Sequence, residues 1–177
     1  MTRTLLFRAA SAAAFCLSAL PLSAQSASPV AAALKYSLAT ASKNFPGSAE
    51  RMPEDKYSYK PTPGNMTYGD HMAHMADFNE MMCGLIGGTT APAHDKVAGT
   101  APKAAIVAQV KASFAFCSTA LANLDDSQLA ATVPFFGSQI SRAAAIIILS
   151  ADWSDHYAVT STYLRLNGLL PPTAGRM

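Results

Sequence analysis

The 177-residue sequence predicts an all-α protein, a four-helix bundle, on three observations. Four segments repeat apolar residues at steps of three and four over several turns, which is the spacing of one helical face. Between them lie Gly- and Pro-rich stretches that stop one helix before the next begins. No segment alternates apolar and polar residues for long enough to suggest a sheet. Helices of this length, joined by a mixture of short and long connections, bury their apolar stripes most simply against one another.

The first segment, "MTRTLLFRAASAAAFCLSALPLSAQS", is set apart from the bundle because it has the layout of a secretory signal peptide. Arg3 and Arg8 form a positive start, residues 9–22 an apolar stretch, and Leu22-Ser23-Ala24 a cleavage site of small residues. The apolar run is too short, and too rich in Ala and Ser, for a membrane span. An uncleaved N-terminal helix is the alternative. The expected organisation is therefore a signal peptide over residues 1–24 and one domain over residues 25–177, periplasmic or secreted, with no membrane attachment after cleavage. The full chain has 13 basic and 11 acidic residues; loss of Arg3 and Arg8 makes the mature chain formally neutral. Nothing in it forms a basic patch, so nucleic acid and anionic lipid are not expected partners. Cys83 and Cys117 remain after processing. In an oxidising compartment such a pair can form a disulfide, and the alternative is two buried thiols on facing helices. No CxxC motif is present, which argues against cysteine-based catalysis.

The first helix is expected over residues 29–44, with Ser28 as N-cap, Pro29 in the first turn and Leu34, Leu38, Ala41 and Phe45 on its apolar face. Pro46-Gly47 should kink or end it, with "SAERM" able to resume a final turn before Pro53. Residues 53–65 read as a proline-stiffened loop whose Tyr57 and Tyr59 pack onto the bundle. Thr67 followed by Asp70 resembles a capping box and opens a second helix, which Gly87-Gly88 stops. A polar loop leads to a third helix over residues 102–123, with Ile106, Val110, Phe114, Cys117 and Leu121 on one face. "DDSQLA" reads as a helical turn, "TVPFFGSQ" as a loop with Phe135 and Phe136 tucked under the bundle, and the fourth helix is expected over residues 138–166.

Chemistry enters through two stripes. On the fourth helix, Ala145, Leu149, Asp152, His156, Val159, Tyr163 and Leu166 follow steps of four and three. Asp152 and His156 thus fall one turn apart in an apolar seam, where an unpaired carboxylate would cost several kcal/mol. On the second helix, Thr67, His71, His74, Phe78, Met81 and Leu85 follow the same rule. If the two helices face each other, His74, Asp152 and His156 converge. Two imidazoles and a carboxylate suit iron(II), zinc, nickel or manganese, and bundle cores build metal sites from facing helices. A buried, hydrogen-bonded Asp/His network is the competing reading. The methionines Met72, Met75, Met81 and Met82 read as core rather than copper ligands, because they are spread around the helix. Trp153 reads as packing on a different face from Asp152, His94 as a solvated loop residue, and Asp155 and Glu80 as weak candidates for a general base.

Five segments, "MPEDKYSYKPTPG", "TYGDHMAHMADFNEMMCGL", "VKASFAFC", "VPFFG" and "DHYAVTSTYLRLNGLLPP", taken in this order, resemble the DinB-like family across nearly the whole expected mature domain. The resemblance implies a DinB-like bundle with a divalent metal held by three histidines, one on the second helix and two on the fourth. His74 matches the first of these and His156 the last. Asp152 stands where family members usually have a histidine, which lowers the charge of the site and favours harder ions such as manganese or iron(II). His71 has no ligand role in that pattern and reads as a polar residue near the open end of the bundle, with a substitute ligand or a partner behind the ligands as the alternative. Some members of the wider superfamily use the metal to activate a low-molecular-weight thiol, so the resemblance implies an S-transferase-like or hydrolase-like activity on an unknown small molecule. Against a thiol cofactor, the expected location is outside the cytosol and no basic cluster awaits an anionic thiol. The alternative is a non-catalytic bundle acting as a binding or stress-related module. Members of the family are often homodimers, an expectation carried by the resemblance and not by any exposed apolar stripe.

Overall fold

The computed structural model describes residues 28–174, and the expected signal peptide lies outside the described residues. Four helices make up the fold: α1 (Pro29–Arg51), α2 (Tyr68–Gly87), α3 (Lys103–Ala120) and α4 (Arg142–Leu166). Single 3-10 turns occupy Glu54–Lys56 and Asp126–Gln128, and a two-stranded hairpin, β1 (Thr132–Phe135) with β2 (Ser138–Ser141), precedes α4. Around the bundle α1 neighbours α3 and α4, while α2 neighbours α3 and α4, so α1 lies diagonally across from α2.

The start of α1 places Pro29 in the first turn, where its missing N–H leaves no bond unmade. Ser28 does not cap the helix through its side chain. Asp126 does so from a distant turn, its two carboxylate oxygens accepting the N–H groups of Val30 (3.0 Å) and Ala31 (2.9 Å). Contrary to the expected break, α1 runs through Pro46 to Arg51. Phe45 and Ala49 on either side of the proline are completely buried, and that burial outweighs the one helical hydrogen bond that Pro46 cannot make. Tyr57 and Tyr59 pack as expected: the Tyr57 hydroxyl donates to the Ala49 carbonyl (2.7 Å), and the Tyr59 ring meets Tyr163 edge-on.

Thr67 caps α2, its Oγ1 accepting from the Asp70 N–H (3.1 Å) while its hydroxyl donates to the Asp70 carboxylate (2.6 Å). Gly88 ends the helix in the left-handed region (φ 68°), a conformation that glycine adopts without a Cβ penalty. The strongest helix pairing is α2 with α3, and a disulfide joins them: Cys83 and Cys117 are bonded at 1.99 Å, with their Cα atoms 5.1 Å apart. Both cysteines are fully buried, so the structure selects the disulfide and also satisfies the burial expected of paired thiols. Met72, Met75 and Met82 fill the core, whereas Met81 is 39% exposed and does not.

The segment expected to be a loop before α4 is a hairpin, with Val133 opposite Ile140 and Phe135 opposite Ser138. Its two-residue turn has positive φ at both Phe136 (44°) and Gly137 (80°), the geometry that matches the twist of paired strands. Phe135 packs partly against the core, but Phe136 at the tip is 79% exposed instead of tucked under the bundle. Consequently α4 begins at Arg142 instead of residue 138, with Ser141 Oγ accepting the Ala144 N–H (3.1 Å) as its cap. No helix among the described residues is long and apolar enough to cross a membrane.

Candidate functional site

Helices α2 and α4 run antiparallel, bringing His71 beside Thr160 and Asn79 beside Trp153. The stripes expected to point straight into the core are turned by about one residue. On α4 the fully enclosed positions include Leu149, Trp153, Thr160 and Leu164, while Asp152, His156 and Val159 lie half-buried on the shoulder facing α2. On α2 the core stripe is Tyr68, Met72, Met75, Asn79, Met82 and Ile86, and His74, Phe78 and Leu85 lie on the matching shoulder. Trp153 is therefore core, packed on a different face from Asp152 as expected. Its large ring takes the inward position because its N–H finds a buried acceptor, the Asn79 side-chain oxygen at 2.7 Å.

On that shoulder the three expected residues come together. The Asp152 Oδ1 and His156 Nε2 atoms are 3.2 Å apart, with 17% and 20% of the respective side chains exposed. The His74 ring meets the His156 ring edge-on, with centroids 5.2 Å apart. His71 adds a fourth group, its ring centroid 5.0 Å from that of His156. The carboxylate is largely buried, and the charge-assisted contact with His156 offsets part of its desolvation cost.

The two central histidines are tuned in opposite directions. Hydrogen bonding to the Asp152 carboxylate raises the pKa of His156, favouring its protonated form while no cation competes. Burial, helped by the neighbouring His156, pushes His71 down to about 4, so His71 is neutral at physiological pH. Its Nε2–H donates to the His156 carbonyl (3.2 Å) and lies 3.0 Å from the Thr160 hydroxyl, while its ring stacks on Tyr163. That nitrogen is committed to α4, so His71 supports the site from behind and its Nε2 is not a free donor atom.

The other candidates fall elsewhere. Glu80 faces α3, where its carboxylate accepts from Gln109 Nε2 (3.1 Å) and pairs with His94 Nε2 (2.9 Å); it is occupied and does not act on the His74 shoulder. His94 is exposed on its loop, as expected, and in addition clasps that loop to α2; hydrogen bonds to the Asp95 carbonyl and to Glu80 raise its pKa. Asp155 is exposed one residue from His156. A cavity of about 190 Å³ between α1 and α4 is bordered by Phe45, Trp153 and Tyr157 and contains none of the three expected ligands.

Do these residues fit a divalent cation? Neighbouring donors around one ion with bonds of ~2.1 Å stand about 3.0–3.4 Å apart. The Asp152–His156 separation lies in that range. Two buried atoms there, Asp152 Oδ2 and His156 Nδ1, have no hydrogen-bond partner. An oxygen–nitrogen donor set of this kind suits iron(II), manganese or zinc. Among the described residues, however, no three His, Cys, Asp or Glu side chains already stand converged as ligands. His74 makes no hydrogen bond to Asp152 or His156 and would have to turn about its side-chain bonds to join them. The residue set fits a cation, and its third member is not yet aimed.

Comparison with known proteins agrees with this architecture. The family profile described as the DinB superfamily matches residues 37–159. A DinB-like protein from Bacillus subtilis is similar in structure, with a TM-score of 0.65 at 18% sequence identity, over 82% of this chain and 99% of that one. A DinB-like protein from Bacillus cereus is similar to the same degree, with a TM-score of 0.65 at 17% identity, over 78% of this chain and 93% of that one. At such identities the likeness is one of fold. No curated protein matches the sequence.

Proposed function

The chain belongs to the DinB superfamily, and on that premise we propose that it is a divalent-metal-binding bundle whose ligands are His74, Asp152 and His156. The observation that carries the reading is the largely buried cluster on the α2/α4 shoulder: a carboxylate and an imidazole at 3.2 Å, a second imidazole ring 5.2 Å from the first, and two buried polar atoms left without partners. A cation bound there would act as a Lewis acid toward a water or a thiol of a small substrate. Asp152 would supply negative charge where the expected family pattern has a neutral imidazole, His156 would hold the cation in its neutral form, and neutral His71 holds the α4 backbone at His156. The second reading is a structural Asp152–His156 ion pair in a non-catalytic bundle, favoured by the absence of a fully converged ligand set among the described residues.

Substitution separates the two. With metal, Asp152→His is expected to retain binding and shift preference toward zinc or nickel. Under the ion-pair reading the same change places imidazoles together without an anion and lowers the melting temperature. Elemental analysis of untagged protein, and melting with and without chelator, decide the matter: a wild-type chain that takes up no divalent ion at micromolar concentration and melts unchanged in chelator has a structural site.

The layout of residues 1–24 and the buried Cys83–Cys117 disulfide both support an exported protein. Expressed with its own leader in a Gram-negative host, the chain is expected in the periplasm with about two dozen residues removed. Intact-mass measurement checks this, and a cytoplasmic product that retains Met1 would remove the proposal.

A further inference from the structure

Asn79 is out of place on the most apolar stripe of α2. Its neighbours along that stripe, Met72, Met75, Met82 and Ile86, are all fully buried, and so is Asn79 itself. Its amide is held by two buried hydrogen bonds, one at each end. The oxygen accepts the Trp153 indole N–H at 2.7 Å, and the NH2 group donates to Ser113 Oγ at 3.1 Å, which donates in turn to the Val110 carbonyl at 2.9 Å. The chain links α4 to α2 and α3 through neutral groups, and its orientation is set at both ends. An apolar side chain at residue 79 would pack in the same space without imposing a direction.

We propose that the Trp153–Asn79 hydrogen bond, anchored by Ser113, is a positioning device for the cation site, setting the rotation of α4 and with it the direction in which Asp152 and His156 leave the helix. This rests on the reading that the shoulder holds a cation. Trp153 directly follows Asp152 and is three residues before His156, so its direction from the helix axis determines theirs. A rotation of 20–30° about the helix axis would move side-chain donor atoms by roughly 2–3 Å, and metal–ligand distances tolerate about 0.2 Å. Nonpolar packing opposes such rotation without singling out one direction, whereas a short buried hydrogen bond to a fixed amide is directional. The hydrogen bond from His71 to the His156 carbonyl fixes the same helix at the other end of the ligand pair. Together the two contacts bracket Asp152 and His156. Asn79, Trp153 and Ser113 are positioning residues and touch no ligand of the cation themselves.

The test uses cobalt(II) as probe, because its visible absorption reports ligand number and geometry, on the mature chain and two variants. Trp153→Phe keeps a ring but orphans the Asn79 oxygen, so it is expected to lower both the melting temperature and the cobalt affinity. The double variant Asn79→Leu/Trp153→Phe removes both polar partners, leaves Ser113 bonded to Val110, and is expected to recover most of the melting temperature of the metal-free chain. Its cobalt affinity is expected to stay at least about tenfold below wild type, with an altered absorption spectrum, since outer groups that orient ligands are typically worth 10–100-fold in affinity. Recovery of affinity and spectrum together with the melting temperature would mean that the pair serves packing alone, and would overturn the proposal while leaving the metal reading standing. A wild-type chain that gives no cobalt spectrum overturns both.

Discussion

Replacing His74 with Ala is expected to abolish stoichiometric metal binding and to erase the metal-dependent part of the thermal midpoint. His74 is the ligand that α2 contributes to a cluster otherwise built on α4, so without it a cation keeps two donors from a single helix. Its loss should cost the metal-free fold little, because His74 is half-buried and makes ring contacts with Phe78 and His156 but no hydrogen bond. With metal, a ligand that binds the native state alone stabilises it by mass action, about 2.7 kcal/mol at a hundredfold excess over the dissociation constant. For a domain of this size that corresponds to roughly 5–10 °C. Scanning calorimetry of wild type and His74→Ala, each with added metal and with chelator, should therefore give one displaced curve, wild type with metal, and three that nearly superimpose. If metal raises the midpoint of His74→Ala as far as that of wild type, the cation is held elsewhere.

Removing the disulfide is expected to have a comparable effect on stability without touching the site directly. Cys83 and Cys117 close a loop with a sequence separation of 34, and cross-linking a loop of that length restricts the unfolded chain by about 3–4 kcal/mol. The bond joins the two helices that pack most closely, so the native state gains a staple where it already has contacts. The Cys83→Ala/Cys117→Ala variant should unfold at clearly lower denaturant concentration, with a midpoint on heating lower by roughly 10 °C. Because both sulfurs are fully buried, reductant should act on the native protein slowly, and thiol counting in denaturant should find two free thiols after reduction and none before. Two free thiols in unreduced periplasmic material would show that the pair remains as buried cysteines.

Local sequence was enough for the four helices, the Thr67 cap and the Gly88 stop, because hydrophobic period and capping chemistry act over a few residues. That Asp152 and His156 share a helical face was likewise legible, since steps of three and four keep side chains together whatever surrounds them; that α2 lies beside α4, which places the His74 ring against His156, belonged to the tertiary structure. Pro46 and the hairpin were not. Pro46 was overruled by the burial of Phe45 and Ala49, a tertiary term larger than one lost hydrogen bond. The hairpin was masked because Pro134 argues against a strand and Phe136-Gly137 lacks the asparagine or aspartate that usually marks such a turn. Spacing also cannot set the absolute rotation of a helix, as every azimuth preserves the same steps. That choice belonged to the partners of Trp153 and Asn79, which took the centre of the core and moved Asp152 and His156 to its half-open edge. The clasp of Glu80 by His94 and the capping of α1 by Asp126 were decided in the same way. Each joins residues distant in sequence, through hydrogen bonds that only the folded arrangement can offer.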